Sequence, residues 1–85
     1  MSTNVKVKVY GLSTCGFCKR AKRLLKDLGV EYETIDIDTL EVEKKREMLL
    51  EVRRLNPDLS YPTLVINGEI VVGFDEARIR EVLKR

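Results

Sequence analysis

The chain has 85 residues, 44% hydrophobic and 35% charged, a balance that supplies one packed core and fits neither a disordered tail nor a coiled coil. Sixteen basic against 14 acidic residues leave a net charge of +2, too even to demand a nucleic-acid or membrane partner on charge alone. The opening "MSTNVKVKVY" has no apolar stretch of signal-peptide length, no segment approaches a membrane span, and the two cysteines sit too close together for a secreted disulfide scaffold, so the expectation is one cytoplasmic domain over residues 1–85.

Val5, Val7 and Val9 alternate with Lys6, Lys8 and Tyr10, predicting a first strand with one packed and one more polar face that runs toward the cysteines. From Phe17 the apolar positions Phe17, Ala21, Leu24, Leu25 and Leu28 are spaced for one helix stripe, and Gly29 stands where a left-handed cap would end the helix. Val30 to Asp38 is β-branched and aromatic enough for a second strand. Asp38-x-x-Glu41 has the form of a capping box opening a helix to about Leu55, with Met48, Leu49, Val52 and Leu55 as its buried stripe; Leu50 falls off that face. Asn56-Pro57-Asp58 breaks the helix, and two strands joined at Asn67-Gly68 form a hairpin. Asp75 caps a last helix whose apolar face is Ile79, Val82 and Leu83. The order is βαβαββα, a parallel crossover unit extended by an antiparallel hairpin.

Cys15 and Cys18, two residues apart between the first strand and the first helix, carry the chemistry. Unpaired N–H groups and the positive end of the helix dipole favour an anion on Cys15, while Cys18, one turn inside, is more shielded. Unequal thiols suit exchange: Cys15 attacks a disulfide in a partner, and Cys18 resolves the mixed disulfide. The chain has no histidine, so the Cys-His pairing of cysteine hydrolases is excluded. Two duller readings remain: a clip closing so short a loop restricts the unfolded chain by roughly 2 kcal/mol or less, and a structural zinc site needs two more ligands from a second chain.

"VYGLSTCGFCKRAKRLL", then "SYPTLVINGE" and "VVGFDE", resemble the glutaredoxin branch of the thioredoxin superfamily, including the ribonucleotide-reductase-linked redoxins. The resemblance implies an α/β thioredoxin-like fold: a four-stranded mixed sheet in the order 2-1-3-4, helices one and three on one face and helix two on the other. It implies that Tyr61 precedes a cis Pro62 beside the cysteines and pairs its backbone with substrate. It also implies that Thr14, Phe17, Gly73, Phe74 and Asp75 line a substrate or thiol site, the last three at the γ-glutamyl end of glutathione. Glutathione-using members usually carry Lys where this chain has Leu12, and two glycines where it has Val72-Gly73. Gly16-Phe17 replaces the common Pro-Tyr and resembles the cluster-binding members.

Two functions follow. One is a monomeric thiol-disulfide oxidoreductase with no cofactor beyond its own Cys15–Cys18 pair, reducing protein disulfides and itself reduced by a flavin- or ferredoxin-dependent reductase or by a small thiol such as glutathione. The other is a dimer sharing a [2Fe–2S] cluster through Cys15. Lys19, Arg20, Lys22, Arg23 and Lys26, opposite the apolar stripe, are either a solvated surface or a face that steers an acidic partner.

Overall fold

The computed structural model describes residues 6–84; Val5, the first position of the predicted alternation, lies outside them. Strand β1 is Val7–Gly11, helix α1 Gly16–Asp27, β2 Glu33–Asp36, α2 Val42–Leu55, β3 Thr63–Ile66, β4 Glu69–Val72 and α3 Glu76–Leu83, with a 3-10 turn at Ile37–Thr39. The sheet runs β2-β1-β3-β4, with β1 parallel to β2 and the other pairs antiparallel. This is the expected α/β architecture.

Two apolar layers hold the helices on the sheet. Val7, Val9, Leu64, Ile66 and Val71 are covered by Ala21, Leu24 and Leu25 of α1 and by Ile79 and Val82 of α3. On the other face Tyr10, Ile37 and Val52 form a smaller layer with Met48 and Leu55 of α2 beside it. The second face of β1 is therefore polar only at Lys8: Tyr10 is buried, because α2 covers that side.

Local chemistry fixes the ends. After α1, Gly29 takes φ +73° while its N–H bonds Lys26 O and the N–H of Val30 bonds Leu25 O, the paired closure that a left-handed residue makes possible. Asn67 and Gly68 both have positive φ, as a two-residue turn matched to strand twist requires. Among the described residues no helix is long and apolar enough to cross a membrane.

Four expectations are corrected. Strand two is shorter than Val30 to Asp38, since Val30 and Tyr32 pack on the larger core layer before pairing begins and the chain coils into the 3-10 turn after Asp36. Phe17 is 57% exposed and Leu28 38%: both have the helical period, but they lie at the two ends of α1, beyond the packed layer. Leu49 is 37% exposed, so the buried stripe of α2 is narrower than its pattern. The capping box does not form, for Glu41 is the N-cap of α2 and makes no side-chain bond there.

Candidate active site

The turn that delivers Cys15 is built from the end of β1. The N–H of Cys15 donates to Leu12 O at 3.1 Å, closing a turn across Ser13 and Thr14. Asp38 clasps that turn from the far side of the parallel crossover: Oδ1 accepts the Ser13 N–H at 2.9 Å and Oδ2 the Ser13 hydroxyl at 2.6 Å. Those bonds hold the Asp38 carboxyl below the usual carboxylate range, the side-chain bond contributing most. Thus Asp38, which the local pattern assigns to α2, is spent on the cysteine turn.

Cys15 is the N-cap of α1, with extended backbone, and its Sγ accepts the Cys18 N–H at 3.2 Å. Sulfur here occupies the place of the oxygen of a capping Ser or Asp. Cys15 is partly exposed and Cys18 buried, and both thiols are free. The Cys18 thiol is pushed up to about 11, chiefly by burial and then by its hydrogen bond with Cys15. The pair is therefore unequal: one cysteine is partly exposed at a helix start, while the other is buried and holds its proton more tightly.

Cys18 is confined by Gly11 at the end of β1. A Cβ at Gly11 would lie 2.6 Å from Cys18 Sγ and 3.1 Å from its Cβ, well inside van der Waals contact, so the Cys18 sulfur occupies space that only glycine leaves open. Lys22, one turn on, bonds Asp36 of β2 at 3.2 Å and its charge reaches Cys18. Of the five basic residues expected on the outer face of α1, this one is partly buried and paired; Lys19, Arg20, Arg23 and Lys26 are exposed.

The Tyr61–Pro62 peptide bond is cis. Pro62 is buried and Tyr61 partly so, and the Tyr61 phenol is raised by burial first and then by the charge of Cys18. The segment is tied by Asn56, read in the sequence only as a helix breaker. Its buried Nδ2 lies 3.1 Å from Ser60 O, Ser60 Oγ and Thr63 Oγ1, and its Oδ1 accepts the Asp58 N–H. An Asn just past a helix end signals a local turn, but not burial.

Of the remaining candidates, Thr14 is exposed in the cysteine turn. Phe17 is exposed in the first turn of α1 with the Arg20 guanidinium 5.7 Å from its ring centre. Gly73 bonds Pro62 O through its N–H at 2.7 Å, which links it to the cis-proline segment. Phe74 packs against the larger core layer, and Asp75 caps α3 by accepting the Arg78 N–H at 3.1 Å.

Residues 7–71 match the family model for glutaredoxin. The chain belongs to the glutaredoxin family. It is similar to a glutaredoxin from Methanosarcina mazei Go1, with 51% identity and TM-score 0.86 over 94% of this chain and 79% of that one. Methanoredoxin of Methanosarcina acetivorans is 48% identical, with TM-score 0.88 over 94% of this chain and 85% of that one. The glutaredoxin-like 8.6 kDa protein in the rubredoxin operon of Clostridium pasteurianum is 32% identical over 93% of this chain and 99% of its own length. The sheet order and helix placement expected from the resemblance are thus those of glutaredoxin structures, built around the two adjacent cysteines of this glutaredoxin.

Proposed function

We propose that this glutaredoxin is a dithiol thiol–disulfide oxidoreductase that reduces protein disulfides. The observation that carries the reading is the inequality of the cysteines: Cys15, partly exposed, accepts an N–H on its Sγ at the start of α1, while Cys18 is buried and its proton is held more tightly. Cys15 attacks as the thiolate. Its Sγ bonds one sulfur of the substrate disulfide, the S–S bond breaks, and the other sulfur leaves as a thiolate that takes a proton from solvent. Cys18 then loses its proton and attacks Cys15 Sγ, releasing the second substrate thiol and leaving a Cys15–Cys18 disulfide. Two electrons have passed to the substrate, and a flavin- or ferredoxin-dependent reductase or a small thiol returns them.

Tyr61 and Pro62 supply the backbone edge on which an extended substrate pairs; Thr14, Phe17, Gly73 and Phe74 border it. The protein acts as a cytoplasmic monomer, where reducing conditions keep the pair available for turnover. The cluster-carrier alternative rests on the Gly16-Phe17 dipeptide alone, whereas a second cysteine whose N–H bonds the sulfur of the first serves exchange directly. Cys15→Ser is expected to abolish insulin-disulfide reduction, and Cys18→Ser to accumulate a mixed disulfide detectable by intact mass. Full reduction of insulin by the Cys15→Ser protein would reject the assignment.

A further inference from the structure

Leu50, which the helical pattern of α2 leaves without a role, is 61% exposed, and Val42, two turns before it, is 73% exposed. With Leu49 of α2 and Leu59 of the following loop they floor one open groove of about 360 Å³. Leu59 is a non-glycine residue at φ +53°, a conformation that an L side chain rarely adopts. A large aliphatic side chain is thereby spent on completing a surface groove rather than a core.

Charge says what the groove accepts. It is rimmed by Lys45, Arg46 and Arg53, with no acidic residue in its lining. Lys44 pairs with Glu47 and Arg54 with Glu51, and Lys45 also acts on the Asp38 carboxylate, so the positive charge of the groove rests chiefly on Arg46 and Arg53. Two copies of this chain meeting through the groove would bring the rim cations face to face, which opposes a symmetric dimer. A lipid surface favours a convex helix that presents bulky aromatic residues, while this groove is concave and its apolar lining holds no aromatic residue. Leu59 stands two residues before Tyr61, so no more than about 7 Å of chain separates the groove from the residue before the cis proline.

We propose that the groove between α2 and Leu59 docks an acidic amphipathic helical segment of a partner protein, aliphatic side chains down and carboxylates on the basic rim. The docking does not depend on the exchange chemistry, and the probe keeps the two apart because it contains no sulfur. That probe is a synthetic helical peptide with leucines at i, i+3, i+4 and i+7 and glutamates between, added to the full chain while amide shifts are mapped and anisotropy gives the affinity.

Shifts are expected on residues 42–53 and at Leu59, with affinity falling as salt rises. Leu50→Ser, and separately Arg46→Glu combined with Arg53→Glu, each weaken binding about tenfold or more, while insulin reduction is unchanged. The proposal is overturned by any of four results: no shifts on α2, equal binding of a lysine-for-glutamate peptide, a concentration-dependent dimer that Leu50→Ser dissolves, or phosphatidylglycerol vesicles that bind through Leu50 in preference to the peptide. A protein that docks the peptide yet fails to reduce insulin would retire the oxidoreductase reading alone.

Discussion

Helices α1 and α3 open with the same bond made by different chemistry. In α1 the N-cap side chain accepts the N–H three residues on through sulfur, at 3.2 Å, and in α3 through carboxylate oxygen, at 3.1 Å. The Asp75 carboxylate is already engaged with the Arg78 N–H and sits in the open. Cys15 caps with a sulfur, and the residue that donates to it, Cys18, brings a second sulfur into the core. A helix start is thus either a structural end or a reactive one depending on whether its cap can form a covalent bond, and on what lies one turn inside.

The largest expected difference between the two starts is in pH dependence. Cys18 is raised from an ordinary 9.0 to about 11, so the folded protein keeps a proton that the unfolded chain gives up. Its contribution to stability is whole below about pH 9 and is lost as the pH rises from about 9 to about 11, a fall of at most about 3 kcal/mol. Urea midpoints across this window are expected to fall in the wild type and to fall less steeply in Cys18→Ala, while Asp75→Ala keeps the wild-type slope. Equal slopes in wild type and Cys18→Ala would show that burial does not hold the proton.

Gly11 sharpens the comparison from below, since a Cβ at Gly73, just before α3, would meet nothing within 4 Å among the described residues. Gly11→Ala forces Cys18 Sγ to leave its place, costing about 1–3 kcal/mol by overpacking and lengthening the life of a mixed disulfide on Cys15. Denaturation and single-turnover mass spectrometry read these two effects. An unchanged midpoint would mean that the Cys18 side chain rotates away freely.

Exchanging the caps comes next. Asp75→Ala is expected to cost about 1 kcal/mol and to leave insulin reduction intact. Cys15→Ala costs less stability, since a thiol is a weak acceptor, yet removes activity. Cys15→Asp recovers a cap of the α3 kind and stays inactive. A thermal melt and an insulin assay on the three proteins separate capping from chemistry.

What could be read in the sequence was what neighbours in sequence decide. The Val7/Val9 alternation, Gly29, Asn67-Gly68 and Asp75 each act within a few residues, and the placement of Cys15 at a helix start follows from the strand before it and the stripe after it. Phe17 shows the limit: its period is right, but only the extent of the packed layer decides that it is exposed. Gly11 fits a strand end without comment until Cys18 is seen against it. Asn56 and Leu59 look like ordinary loop residues, because burial and a shared groove depend on elements that approach only in three dimensions.

Asp38 is the sharpest case and gives the smallest expected effect. Three residues before Glu41 it has the spacing of a cap, yet its carboxylate is used 25 residues back along the chain, on Ser13. Asp38→Asn can keep both contacts in changed form, its carbonyl accepting the Ser13 N–H and its amide donating to the hydroxyl, so it removes the charge and little else. Since Ser13 holds the carboxyl below its ordinary 3.8, the stability owed to that charge is present above the ordinary value and is lost as pH falls through the lowered one. The gap between wild type and Asp38→Asn is therefore expected to be modest at neutral pH and to close in acid, as urea midpoints would show. Amide exchange decides between the two uses of the residue. Faster exchange at Ser13 and Cys15 supports the clasp, whereas faster exchange confined to the first turn of α2 would mean that the local capping pattern had been the better guide.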